Sequence, residues 1–462
     1  MDGLTSQLAA FVSQPGLDRV PDEAIRIIRS GFIDTIATML AGRDEPVTKL
    51  VREHVRAQRS SLAEARLLLG EERAGAPAAA LVNGVAAHAL DYDDVALAGH
   101  PSTVLVPAVL AEGEAVNASG LAAMRAYLVG YEVWAELIGR EADSHHTKGW
   151  HPTGVFGTVA AAAAVAHLRG LDEHGSRHAL AIAASLAAGL TANFGTMTKP
   201  FHAGRAAANG IEAARLARAG MTAAPDALEH AGGFLAALSP RGKVDRTRPA
   251  SGLGRKLAIL ELGLSIKKYP MCYATHRVID GVLDLARVNH VKPSDVERVE
   301  ATIGSAQAGM LRNHAPVTGL EAKFSLEFAV ASALVAGKVG LAELTDEFVS
   351  RSVVQEEMRK LSIATTETRC TLEPVFAFTD RVVLKLKDGR SLDSGEIRFA
   401  RGNAKLPLRD EDLRAKFMDC TRSATDVDAV ALFERLARLE RVAAVSELAG
   451  RRILAPGLAP ST

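Results

Sequence analysis

Cysteine is almost missing from this chain: Cys272, Cys370 and Cys420 are the three in 462 residues. Odd in number and far apart, they make neither a disulfide framework nor a zinc or iron–sulfur spacing. Aromatic residues are scarce at 5%, while hydrophobic residues reach 48% with alanine as the main filler, which favours closely packed helices over a β-rich fold. An excess of either charge is absent too, since 54 basic residues balance 54 acidic ones. That balance gives no overall field for nucleic acid or a membrane surface. No window approaches the roughly 18 apolar residues of a membrane span, and Met1 to Gln7 lacks a basic region followed by an apolar core. A cytoplasmic protein, with neither nucleic acid nor membrane as partner, is the expectation.

The length exceeds that at which one core usually stops growing, so two domains are expected. Pro21-Asp22-Glu23 opens an amphipathic run closed by Gly42, a helix with start and stop signals in place. Further helical runs cover about 45–58, 76–91, 103–116, 119–142, 153–169, 174–190 and 203–219. No strand-length alternation interrupts them, and the Ala/Val-only stretch from Val159 to Ala166 predicts a helix surrounded by others. Near Leu264 the pattern changes. Val296 to Gly304 alternates with period two, and Arg381 to Phe399 reads as a hairpin with an Asp388-Gly389 turn. Helical runs at about 321–337 and 341–349 lie between these strands, as a crossover requires. Helical periodicity resumes at about 410–420 and 427–448, and a short Ala-Pro-Gly tail covers 455–460. The expected fold is mainly α: a large all-α domain from 1–264 plus 401–462, with a smaller α+β domain, 265–400, inserted in it.

The densest chemistry runs from His88 to Ser102. Asp91, Asp93, Asp94 and two imidazoles fall within fifteen residues, between one apolar helical run and the next. His100-Pro101-Ser102 has a grammar that returns at His151-Pro152-Thr153 and, varied, at Lys199-Pro200-Phe201-His202; Thr275-His276 opens a fourth helical run. Proline is tolerated at a helix's first position, and Ser102 and Thr153 read as N-caps. Four cationic or imidazole groups at helix starts, where free N–H groups attract anions, suggest a site for a small polyanion.

Several chemistries compete for these residues. His88, Asp91, Asp94 and His100 offer metal-type ligands, as do His145, His146 and His151, but no established metal spacing is present. Three acids after a helix also suit a solvated turn. His145-His146 reads as a solvated loop, and His88 as a buried histidine satisfied by a neighbour. There is no Gly-x-Ser-x-Gly elbow, and Gly195 to Lys199 lacks the second glycine of a phosphate loop. Acid/base chemistry on a carboxylic acid fits better. Removing a proton next to a carboxylate builds charge on the carboxylate oxygens, so the site needs fixed cations or N–H donors beside a tuned base.

Asn83-Gly84, His88 to Asp94, Gly99 to Ser102, Gly149 to Gly154, Asn193 to Gly204, Tyr269 to His276 and Gly319 to Leu326 occur in an order that resembles the MmgE/PrpD family over nearly the whole chain. That family includes 2-methylcitrate dehydratases, cis-aconitate decarboxylases and iminodisuccinate epimerases. The resemblance implies a helical domain built from both chain ends, an α+β insert acting as a lid, a homodimer, and catalysis without metal or organic cofactor. It also implies that Asp91, His100, His151, Lys199 and His276 line the active site; Ser102, His202, Arg205 and Phe328 complete the expected substrate-binding set. The roles expected are His151 or Asp91 as base, Lys199 and His100 as carboxylate holders, and His276 as acid. Val95 and Phe328 depart from the threonine and tyrosine expected in the decarboxylases. A hydro-lyase for a small di- or tricarboxylic acid is therefore the first expectation. Epimerisation of an imino- or amino-dicarboxylate, cis-aconitate-type decarboxylation and an inactive carboxylate-binding protein are the alternatives.

Overall fold

The computed structural model describes residues 3–14, 20–373 and 376–449; the Ala-Pro-Gly tail at 455–460 lies outside them. The fold is mainly α, and the chain divides into two compact units, Met1–Leu264 with Leu413–Thr462, and Ser265–Asp412.

Among the described residues the first unit is built mainly on the helices α1 (Leu4–Val12), α2 (Asp22–Ala41), α3 (Pro46–Ala57), α4 (Ala76–His88), α5 (Ser102–Ala115), α6 (Gly120–Ile138), α7 (Pro152–Leu168), α8 (Glu173–Leu186) and α9 (Thr198–Arg218). Their starts follow local chemistry. Ser119 accepts from the Ala122 N–H ahead of α6, and Asp172 from the Gly175 N–H ahead of α8, each satisfying a donor the helix cannot. Every residue from Val159 to Ala166 is fully buried, as the alanine and valine run predicts. Small residues set how close these helices come. A Cβ on Gly84 of α4 would stand 2.7 Å from the Gly204 Cα of α9, and one on Gly210 of α9 would stand 2.3 Å from the Ala161 Cβ of α7. The α4–α9–α7 core is therefore packed backbone against backbone, which holds their ends at fixed separations. A two-residue ribbon, β1 (Ala65–Arg66) with β2 (Arg73–Ala74), is a strand pair too short for alternation to reveal.

The end of the chain returns to this unit. Lys416 meets Asp34 on α2 at 2.5 Å, Arg43 meets Asp426 at 2.6 Å, and the Gly120 N–H donates to the Val442 carbonyl. A helix at Asp410–Cys420 matches the expected run, but the 427–448 run resolves into a helix at Ala429–Leu436 and two short 3-10 turns.

The second unit carries a four-stranded sheet in the order β4-β3-β5-β6, from β3 (Val296–Gly304), β4 (Leu361–Thr366), β5 (Arg381–Leu386) and β6 (Ser391–Asp393). β5 and β6 form the expected hairpin, with Gly389 at φ 88° in its turn. β3 runs parallel to β4, so the segment between them is the crossover. The alternation of β4 is brief, with Leu361 and Ile363 packed against the core and Ser362 and Ala364 exposed between them, which is too short a pattern for the sequence to mark as a strand. Val278, Ile279 and Val282 of the helix His276–Val288 share a core with Val299, Ile303, Val382 and Leu384 of the sheet. Residues 401–412 belong here: the Arg401 N–H donates to Asp280 at 2.7 Å, and Lys268 pairs with Asp412.

Candidate active site

α4 ends at His88, and the chain reverses at Asp91, which takes a left-handed φ of 52°. Aspartate tolerates that region better than most side chains, though at some cost. Tyr92, Asp93 and Asp94 then run inward, the last two with no exposed surface, which overturns the solvated-turn reading for them. Leu97 and Ala98, also at positive φ, turn the chain back through paired Ala96–Gly99 hydrogen bonds. This returns His100-Pro101 to the start of α5.

Asp93 is the hub. Its Oδ1 lies 2.9 Å from His88 Nδ1 and its Oδ2 lies 2.6 Å from His100 Nδ1. Burial opposes its charge, but the His88 and His100 imidazoles outweigh it and hold the carboxyl well below the usual range. Burial lowers His88 to about 4, so that ring is neutral. His100 Nδ1 is also 2.8 Å from the Asp94 carbonyl oxygen. A carbonyl can only accept, so Nδ1 carries the proton and the lone pair of neutral His100 is on Nε2. That Nε2 is 3.8 Å from Asp91 Oδ1, which in turn accepts from Lys199 Nζ at 2.9 Å.

His151 sits immediately before α7, and its Nδ1 is 3.1 Å from the His202 Nδ1 on α9. Burial, followed by the cations and imidazoles around it (His88, Lys199, His100 and His202), pushes its pKa far down, so His151 stays neutral. Burial and then Lys199 lower His202 as well. The Phe194 ring stands edge-on to His151 at 4.8 Å and 5.5 Å from Lys199 Nζ.

The first unit thus brings Asp91, His100, His151, Lys199 and His202 together. Ser102 is fully buried, and its hydroxyl bonds to Asp94 and, at 2.7 Å, to Tyr127; we read it as a support of Asp94 and not as a substrate contact. Burial, then the nearby Asp34 charge, raises Asp94 well above the carboxylate range. Neither Ser102 nor Thr153 caps its helix, because both hydroxyls take tertiary partners: Pro101 and His151 hold the cap positions, and Thr153 Oγ1 accepts from the His100 N–H. Arg205 points from α9 as an exposed residue. In the second unit, His276 opens its helix fully buried between the Tyr269 and Tyr273 rings, each 5.1 Å away, and Phe328 is fully buried in the core, facing Phe348. His145 is buried against Phe156 and His146 is half-buried at 6.1 Å from Phe194, which corrects the solvated-loop reading. Asp93 and Phe194 are site members that the expected active-site set does not include. The five-residue spacing from His88 to Asp93 and the lone aromatic ahead of Lys199 were the signals available.

His88, Asp91, Asp93 and His100 place one ligand-type atom each within 4.8 Å of one another. The donor set suits a proton network better than a cation: the His100 Nδ1 is protonated toward a carbonyl, and Asp91 already faces the Lys199 ammonium.

With this geometry in place, comparison with known proteins adds the following. Residues 6–247 match the MmgE/PrpD N-terminal domain, and residues 269–439 match the MmgE/PrpD C-terminal domain. Cis-aconitate decarboxylase of Mus musculus is 28% identical over 431 residues, covering 90% of this chain and 86% of the relative. The Homo sapiens protein of the same name is 28% identical over 432 residues, covering 90% and 87%. Cis-aconitate decarboxylase of Aspergillus terreus is 25% identical over 478 residues, covering 96% and 95%. Among the described residues no helix is long and apolar enough to cross a membrane.

Proposed function

The chain belongs to the MmgE/PrpD family, and from that premise we propose that it is a lyase for a small di- or tricarboxylic acid, acting as a hydro-lyase that begins by removing a proton α to a carboxylate. The observation that carries this reading is the orientation of His100. With Nδ1–H tied to the Asp94 carbonyl and backed by the Asp93 carboxylate, Nε2 is the basic atom, and it faces the Asp91–Lys199 pair.

The reaction follows from these groups. His100 Nε2 takes the α-proton, and the C–H electron pair moves toward the carboxylate, where charge accumulates. Lys199 meets that charge without reorganising. Asp91 fixes the ammonium in place. Asp93 stabilises the imidazolium that forms. The electron pair then becomes the new C=C bond as the β C–O bond breaks, and the His100 imidazolium gives its proton to the departing hydroxide. Base and acid are the same residue, which balances the proton and favours elimination on one face. Neutral His151 and His202 bind the substrate as uncharged hydrogen-bonding groups. This assignment moves the base from His151 or Asp91, and the acid from His276, to His100: deep burial leaves His151 too weakly basic, and the residue that takes the proton also returns it.

A second reading is favoured by the relatives named above. In a cis-aconitate-type decarboxylation, loss of CO2 leaves a carbanion, and His100, having first taken a proton from solvent, gives that proton to it. One experiment separates the two: incubation in D2O with 2-methylcitrate, citrate, cis-aconitate, malate, tartrate and aspartate-type acids, followed by NMR with CO2 capture. An alkene product without CO2 is the expected result. CO2 with deuterium on the product carbon would replace dehydration with decarboxylation, and neither product nor deuterium wash-in on any acid would overturn the lyase reading.

A further inference from the structure

The helix Asp410–Cys420 buries Leu413, Lys416, Phe417 and Cys420, a stripe at helical spacing in which one member is a lysine. A lysine on the core stripe is anomalous, since a buried ammonium is costly unless paired. Lys416 is 5% exposed, and its Nζ meets Asp34 Oδ1 on α2 at 2.5 Å and the Tyr92 carbonyl oxygen at 2.7 Å. The same ammonium stands 3.9 Å from the centre of the Tyr92 ring. A buried ion pair alone is weak evidence of purpose, because an apolar pair of similar volume usually serves stability as well. The bond to Tyr92 is the informative one. Its carbonyl belongs to the peptide between Tyr92 and Asp93, so it lies between the carboxylate that faces Lys199 and the carboxylate that joins His88 to His100. The turn here follows a left-handed Asp91 and belongs to neither helix nor strand, so outside partners must hold it. On its amino side the Asp91 N–H donates to the His88 carbonyl; on its other side the Tyr92 carbonyl accepts from Lys416.

We propose that Lys416, brought back by the carboxy-terminal segment and balanced by Asp34, is a positioning residue that clamps the Tyr92–Asp93 peptide and thereby sets Asp91 and Asp93 against Lys199 and His100. Asp34 carries the counter-charge, and the Tyr92 ring covers the ammonium. The role rests on the acid/base reading above, which supplies the groups being positioned.

The test compares wild type with Lys416→Met, with Lys416→Arg and with the charge-free pair Asp34→Asn/Lys416→Met. The single methionine variant leaves Asp34 buried without its counter-ion and is expected to unfold more readily; the double variant removes that penalty along with the clamp. Its far-UV circular dichroism should match wild type, while kcat falls on the order of a hundredfold with KM within about threefold. Lys416→Arg should recover part of the lost kcat. An activity-independent measurement runs alongside: NMR of imidazole-labelled protein, in which the His88 and His100 resonances should move in the double variant while those of His167, remote from the turn, stay put. A folded double variant with wild-type kcat and unchanged His88 and His100 resonances would reduce the pair to a structural ion pair and overturn the clamp. If wild type acts on no acid, the lyase reading fails, and the imidazole resonances still decide on the clamp.

Discussion

The starts of α5 and α7 are written almost alike, His100-Pro101-Ser102 and His151-Pro152-Thr153, yet their histidines have opposite electrostatic surroundings. His100 has a carboxylate and a carbonyl behind Nδ1, so a proton taken by Nε2 is stabilised. His151 has another imidazole behind Nδ1, a phenyl edge beside it and cations and imidazoles around it, and with burial these keep it uncharged. In the proposed reaction the same phrase therefore serves as a base in one place and as a neutral binding group in the other. What differs is the residue that precedes it in space: the Asp91–Asp94 turn supplies anions at α5, and α9 supplies His202 and Lys199 at α7. A helix N-terminus gives a histidine its place, and its neighbours give it its chemistry.

The comparison is broken most severely by removing the base. His100→Gln should lower kcat/KM by roughly a thousandfold to ten-thousandfold, the upper part of the range for general base catalysis, with the fold unchanged by circular dichroism. Asp93→Asn takes away the anion but keeps the ring, and a loss of about a hundredfold to a thousandfold is expected, chiefly in kcat. His151→Gln should cost less, on the order of tenfold to a hundredfold, and should leave the acid limb of the kcat/KM profile where it was, because a group that stays neutral contributes no ionisation there. A shifted acid limb in that variant would erase the distinction between the two histidines.

Two smaller effects sharpen it. His88 and His146 both have folded-state values of about 4, below the ordinary 6.5, so the unfolded chain binds more protons between those limits. Stability contributed by these neutral rings is present above about pH 6.5 and is lost as pH falls toward 4. Urea midpoints should therefore drop between pH 7 and pH 5, and His146→Gln should drop less than wild type. Smallest is Thr153→Val, which removes the acceptor of the His100 N–H. A loss of about 1 kcal/mol in chemical denaturation is expected, with a few-fold fall in kcat as the two helix starts lose their direct link.

Much of this was legible in the sequence. α2 through α9 have the capping residues, prolines and glycines that end and begin helices, and the β5–β6 hairpin is marked by Asp388-Gly389, so local chemistry was enough. β4 was not legible, because two partly buried residues, Leu361 and Ile363, make too short an alternation to read. At the site, the titratable residues and their helix starts stood out, but their tertiary partners did not. Ser102 and Thr153 look like caps until Asp94, Tyr127 and His100 are in view, and although three acids precede His100 within ten residues, the sequence does not show which of them reaches its ring. Lys416 lies more than three hundred residues from Tyr92; its one trace is a cation on an apolar stripe, an oddity that sequence can flag and only packing can explain.

The most direct test is solvent deuterium wash-in into the substrate's α-position, measured side by side for wild type, His100→Gln and His151→Gln with whichever acid the wild type turns over. Wash-in abolished in His100→Gln and slowed but present in His151→Gln is the expected pattern. Wash-in that survives without His100 and disappears without His151 would reverse the roles of the two helix starts and contradict the assignment of the base.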